Sequence, residues 1–244
     1  LYYGGWQDLV PHRSMINGSE IPVAHQNGAC VSWELRSHSQ TNNGTQAVFA
    51  SEIPALQLML EKTITLSDHD STLCLHDRVL NFGTQSVSFP WTHHIAFGDQ
   101  AVDPQVKYAL PDCQLFDLRD WDGKKPWTSL QKSLRDATDD AFLPYDLTRP
   151  PQTRGRLYAL LTALEKPQID ICLENRRLRM SFSKEIFPFI RYWAQWDDNM
   201  RTVALEPSTS LFNTMQESME HGMVLTLRPQ ETVSAFVSIT KLEA

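Results

Sequence analysis

Apolar and polar residues alternate with a period of two through much of this chain. Ile64 and Leu66 alternate with Thr63 and Thr65, and after Ser67-Asp68-His69-Asp70 the alternation resumes at Leu73 and Leu75. Successive side chains of an extended strand point to opposite faces, so each stretch acquires one apolar face, and the polar tetrapeptide between them predicts a turn. The pattern recurs at Ile169, Ile171 and Leu173, then Glu174-Asn175-Arg176-Arg177, then Leu178, Met180 and Phe182. It recurs again at Met223, Leu225 and Leu227, a turn over 228–231, and Val233, Ala235, Val237 and Ile239. Three hairpins with one apolar face each predict an all-β chain, an antiparallel β-sandwich with few short helices.

Helical signal is sparse. Leu211, Met215 and Met219, four residues apart, predict a short helix over 210–221, started by Ser208 or Thr209 and ended by Gly222. Another short helix is expected over 129–142. Pro144, Pro150 and Pro151 make 144–156 a loop over the sheet. With no internal repeat and no composition shift, residues 1–244 read as a single domain, a length that sandwiches commonly reach.

Charge restricts the partners. The formal net charge is −7, and the basic residues are thinly spread apart from Arg176, Arg177 and Arg179. A phosphate-tracking surface needs denser positive charge, so nucleic acid and anionic membrane are poor partners and a neutral small molecule fits well. The chain lacks a bilayer-length apolar run and a charged-then-apolar leader. It opens Leu1-Tyr2-Tyr3, which reads as processing or as a piece of a longer protein. Cys30, Cys74, Cys113 and Cys172 are scattered without a CxxC pair, so reduced thiols in a cytoplasmic protein are expected. Asn17-Gly18-Ser19 and Asn43-Gly44-Thr45 are glycosylation-type triplets, meaningful only in a secreted chain.

Four segments could carry chemistry. In Phe89-Pro90-Trp91-Thr92-His93-His94-Ile95-Ala96-Phe97-Gly98, adjacent histidines point to opposite strand faces, so at most one serves a given cleft. An imidazole titrates near neutral pH, and Trp91 and Phe97 are flat apolar groups suited to the C–H faces of a sugar ring. In Val203-Ala204-Leu205-Glu206-Pro207, a carboxylate follows an apolar run and precedes a proline, which holds it extended and marks a strand end or edge. Partial burial there would raise its pKa toward general-base range. The third segment is Gly4-Gly5-Trp6-Gln7-Asp8 through Pro11-His12-Arg13, and the fourth is His25-Gln26-Asn27-Gly28 with Trp33 downstream. Asp68-His69-Asp70 and His76-Asp77 have metal-ligand residue types without zinc-type spacing, so no metal is expected. GxSxG, P-loop and GxGxxG signatures are absent from the sequence. Asp197 and Asp198 are adjacent, so as strand neighbours they cannot flank one glycosidic bond.

Taken in order, these segments resemble the aldose 1-epimerase (galactose mutarotase-like) family, with a lean toward a bacterial branch. Pro11-His12-Arg13 is similar to its Pro-Asn-Arg segment, which makes Arg13 a substrate residue. His25 with Trp33 is similar to its substrate-histidine segment, with the following Gly and Glu changed. Trp91-Thr92-His93-His94-Ile95-Ala96-Phe97-Gly98 resembles its Trp-x-x-His-Pro-Ala-Phe-Gly segment, which puts the catalytic acid at His94. Leu205-Glu206-Pro207 resembles the segment of its catalytic base, Glu206. Trp91 and Phe97 would then floor a sugar cleft, joined by Trp6. The resemblance implies a galactose mutarotase-like supersandwich whose first N-terminal strands lie outside this chain. It implies a cofactor-free isomerase in which Glu206 and His94 lie on opposite sides of a pyranose-sized hollow. A non-catalytic carbohydrate-binding protein on the same fold is the alternative, and so is an epimerase or isomerase of a modified sugar. For a phosphorylated sugar, the Arg176–Arg179 cluster is the conceivable phosphate site.

Overall fold

A computed structural model describes residues 5–11, 15–16, 19–20, 31–116, 131–132, 147–150, 155–198 and 200–243. In chain order the strands are β1 (Trp6–Leu9), β2 (Met15–Ile16), β3 (Ser19–Glu20), β4 (Glu34–Thr41), β5 (Gly44–Ile53) and β6 (Leu58–Ser67). They continue with β7 (Thr72–Asn81), β8 (Val87–Phe89), β9 (Thr92–Phe97), β10 (Lys107–Ala109), β11 (Gln114–Phe116) and β12 (Gln131–Lys132). The last are β13 (Gly155–Thr162), β14 (Gln168–Cys172), β15 (Arg177–Phe182), β16 (Phe189–Trp196), β17 (Arg201–Ser208), β18 (Leu225–Leu227) and β19 (Thr232–Leu242). One α-helix, α1 (Met215–Glu220), stands between β17 and β18.

Two large antiparallel sheets dominate. The first has seven strands in the order β1-β9-β17-β16-β13-β11-β12, and the second has eight in the order β10-β14-β15-β19-β7-β6-β5-β4. Their facing residues make one core, with Val203, Leu205, Ile95, Ile190 and Tyr192 from the first sheet against Leu60, Val79, Val237, Met180 and Ile169 from the second. The expected all-β sandwich is therefore the observed architecture; of the period-two residues it buries Leu75, Ile169, Ile171, Met180, Phe182, Ala235 and Val237, while Leu66 stays exposed. A smaller apolar cluster of Leu160, Phe189, Leu211, Phe212 and Met223 lies on the opposite face of the seven-stranded sheet.

The first two hairpins form as the alternation predicts: β6 pairs β7 and β14 pairs β15. The third does not. β18 pairs β8 in a separate two-stranded sheet, while β19 lies between β15 and β7. The turn between them uses its own bonds, with Arg228 N donating to Glu231 Oε2 and Gln230 N to the Asn81 carbonyl. The 210–221 expectation shrinks to α1, whose cap is Thr214, accepting from Glu217 N at 3.2 Å. Ser208 belongs to β17, and Leu211 is buried ahead of the helix. Gly222 does follow the helix, at φ +67°. Gln131 and Lys132 pair as strand with β11, against the helix expected over 129–142, whose remaining residues lie outside the described set. The tight β4–β5 turn requires glycine: at Gly44 (φ +139°) a Cβ would meet the Leu66 carbonyl oxygen at 2.1 Å. No helix among the described residues is long and apolar enough to cross a membrane.

Candidate active site

The site grows out of three neighbouring strands of the seven-stranded sheet. β17 is bracketed by β9 and β16, so Pro207 lies in an interior strand and not at the strand end or edge that a proline suggests. The ladder registers the cost. Val203–Leu205 pair with Ile95–Phe97 and pairing resumes at Ser208 with Thr92, skipping Glu206 and Pro207 opposite His93 and His94. A proline has no N–H to give the ladder. Hydroxyls restitch the strands beyond it. Thr209 Oγ1 accepts from Trp91 N at 2.8 Å, and the Thr92 and Ser208 hydroxyls lie 2.7 Å apart.

Alternation sorts the side chains. Val203 and Leu205 enter the core, so Glu206 faces the outer side of the sheet. On β9 the core takes His93 and Ile95, and His94 faces outward beside Glu206. His94 Nε2 lies 3.3 Å from Glu206 Oε1, and both residues are under 5% exposed. Arg191 is paired with Glu206 across β16 and β17, and its Nε lies 3.7 Å from Glu206 Oε2, an ion pair too long for a hydrogen bond. Arg191 Nη1 donates to the Phe212 carbonyl at 2.9 Å, and Nη2 donates to Asn213 Oδ1. Trp193, on the same face of β16, stands beside the His94 ring at 6.5 Å between centroids. Gln7 pairs with His94 from β1, and its Oε1 is buried without a hydrogen-bond partner.

Burial sets the charges. It pushes the Glu206 carboxyl up to about 7, against the opposing pull of Arg191. It pushes the His94 imidazole down to about 4, and the Arg191 cation adds to that. Between these values the carboxyl holds a proton while the imidazole stays neutral, so the two adjacent groups share one proton that can move between them.

The structure differs from the expected hollow: Glu206 and His94 touch, with no room for a ring between them. Trp91 and Phe97 are not beside them. Both sit on the core face of the strand; Trp91 is 1% exposed and packs on Phe187, with ring centroids 5.1 Å apart. They follow the parity of His93, so a sugar at His94 cannot reach them. Trp6 also turns to the core side, its Nε1 donating to His93 Nδ1 at 3.1 Å. Arg13 and His25 lie outside the described residues. Arg191 and Trp193 were missed because they fall in the aromatic run Phe189–Trp196, which reads as plain core strand; only the β16–β17 register gives them away.

Behind the sheet, His93 joins a second group. Lys62 is bonded to Asp8 and lies 3.6 Å from Asp77 Oδ1, and His93 lies 2.9 Å from Asp8 Oδ1 and 3.5 Å from Asp77 Oδ2. Asp8, Asp77 and His93 have metal-ligand chemistry, but the Lys62 ammonium already supplies the cation they would surround. Two arginines of the Arg176–Arg179 cluster are drawn onto one carboxylate: Arg179 makes a two-pronged pair with Asp170, and Arg177 lies 3.6 Å from it, while Arg176 donates to Gln100 Oε1.

Residues 24–240 match the model of a family described as Domain of unknown function (DUF4432). The chain belongs to this family. No curated protein matches the DUF4432 chain. Its fold recurs in solved structures. A galactose mutarotase-like protein from Clostridium acetobutylicum superimposes at a TM-score of 0.70 with 14% identity, over 98% of this chain and 80% of that one. A provisionally assigned aldose 1-epimerase from Escherichia coli K12 gives 0.67 and 18%, over 98% and 84%. Another so assigned, from Klebsiella pneumoniae, gives 0.70 and 13%; the DUF4432 chain spans 62% of its length. At such identities the likeness shows the fold: this chain has the galactose mutarotase-like sandwich.

Proposed function

We propose that this protein is an aldose 1-epimerase-like isomerase, converting the α and β anomers of a free sugar, with Glu206 and His94 as the proton-transfer pair. The 3.3 Å approach of His94 to Glu206 on the outer face of a mutarotase-like sheet carries the reading. Glu206 takes the proton of the C1 hydroxyl while His94 protonates the ring oxygen, and the C1–O5 bond breaks to an open-chain aldehyde. Rotation about C1–C2 presents the other carbonyl face, and the reverse transfers close the ring. Both reacting oxygens are bonded to C1, so neighbouring proton carriers can serve them, and the sugar parts the pair on entering. No electrons change hands, so the chemistry requires no cofactor. Trp193 takes the place proposed for Trp91 and Phe97 as the flat apolar wall. Arg13 and His25 are proposed to hold sugar hydroxyls, and the thiols of Cys74, Cys113 and Cys172, which are free, suit a cytoplasmic compartment.

The reaction borrows and returns one proton. With His94 titrating at about 4 and Glu206 at about 7, the pair holds a single proton between those values, resting on Glu206, and the working form with that proton on His94 is its minor tautomer. A bell-shaped kcat/KM is expected: below the lower value no base is available, and above the upper one no acid is.

Saturation-transfer NMR of anomer exchange over a panel of aldoses tests the proposal. Wild type should accelerate exchange, and Glu206→Gln and His94→Asn should each lose about 10²- to 10⁴-fold. If wild type binds a sugar but accelerates no exchange, the protein is a carbohydrate-binding module instead.

A further inference from the structure

We propose that Arg191 is the positioning residue of this site, holding the Glu206 carboxylate in register with His94 while the segment after β17 holds the arginine. The inference rests on the epimerase reading for its catalytic consequence, but its geometry stands independently. Arg191 is 2% exposed and faces Glu206 directly across β16 and β17. The two carboxylate oxygens are divided between partners, Oε1 toward His94 and Oε2 toward Arg191. Both terminal guanidinium nitrogens are bound by the turn that follows β17, at Phe212 O and Asn213 Oδ1. The Arg191 guanidinium also lies over the Tyr158 ring of β13, 5.6 Å from its centroid. A planar fork fixed at its far end presents a single orientation of its near edge, which lysine cannot reproduce. The carboxylate thus receives its orientation from the neighbouring strand and from the 212–213 segment.

The charge of Arg191 has a second effect. It favours the carboxylate form of Glu206 and disfavours the imidazolium form of His94. Other ionisable groups on this side include Tyr158 on β13, His221 after α1, stacked on Phe212, and Glu217 of α1, bonded to Thr214 beside Asn213. Asp8 and His93 point to the opposite face. Removing the cation should therefore move both members of the pair upward in pKa.

The test combines kinetics with a titration that needs no activity. In Arg191→Gln, both limbs of the kcat/KM profile should move up by about 1 pH unit. The His94 ring midpoint, read by NMR and assigned with His94→Asn, should move with them. In Arg191→Lys the charge remains, so the limbs should stay while kcat falls, with KM little changed. Asn213→Ala keeps Arg191 whole and loosens only its anchor, and it should lower kcat several-fold. A folded Arg191→Gln protein with unmoved limbs and midpoint overturns the inference. If Arg191→Gln does not fold, an Asn213→Ala protein with wild-type kcat overturns it instead. Should the wild type prove inactive, the epimerase reading fails, and the His94 midpoint in Arg191→Gln still decides whether Arg191 governs the pair.

Discussion

At Glu206 a single carboxylate sits behind a wall of protein, with His94 and Arg191 touching its two oxygens. Its folded pKa, about 7, lies above the ordinary 4.5. A raised carboxyl contributes stability that is full below the unfolded value and is lost as pH rises through the folded one. Glu206→Gln removes that loss. Relative to wild type, the variant should gain about 2 kcal/mol between pH 5 and pH 8, measured by urea denaturation at both. A gain that does not grow with pH would mean that Glu206 is solvated and ordinary. The identities of Glu206 and His94 were legible in the sequence, through strand parity and the resemblance of their flanks. Arg191 was not, because an arginine inside an aromatic strand carries no local mark of its partner across the sheet.

At the scale of elements, strand parity did most of the sorting. It turned His93 inward and His94 outward, and it also removed Trp91 and Phe97 from the site, since both share the parity of His93. Pro207 shows how an element bends a local rule. Its missing N–H did not end β17, because bonds from Thr209 and Ser208 close the strand beyond it. The segment after it carries both the arginine anchor and α1, whose cap is Thr214. Thr214→Ala should cost about 1 kcal/mol in denaturant. Because Asn213 adjoins the cap, the same variant should lower the exchange rate more than its stability loss explains. The third hairpin did not form because its two strands pair in different sheets, β18 with β8 and β19 with β15 and β7, a choice that alternation alone cannot express.

Across the whole molecule, among the described residues, the two sheets are joined by apolar packing and by a buried group of charged side chains. Asp8 on β1 and His93 on β9 meet Lys62 on β6 and Asp77 on β7 between the sheets. Burial alone would raise the Asp8 carboxyl, yet Lys62 and His93 hold it well below the usual range. Burial and the Asp8 charge push Asp77 up to about 6. Breaking a buried pair from one side leaves a charge without compensation, so Lys62→Met should cost about 3–5 kcal/mol. Lys62→Met combined with Asp8→Asn should recover part of that loss, a non-additivity that denaturation midpoints would reveal. Additive losses would show that the two residues do not act as a pair.

The sequence by itself determined the class of fold, two of the hairpins and that His93 and His94 face opposite sides of their strand, because period-two alternation is a local property of extended chain. Tertiary structure alone decided that Glu206 and His94 are in contact, that Arg191 stands on the far oxygen, and that Lys62 fills a nest of Asp8, Asp77 and His93. These depend on strand order and register between segments as much as 112 residues apart (94 to 206), and such pairings arise from the free energy of the assembled sheets, which no single stretch of chain encodes.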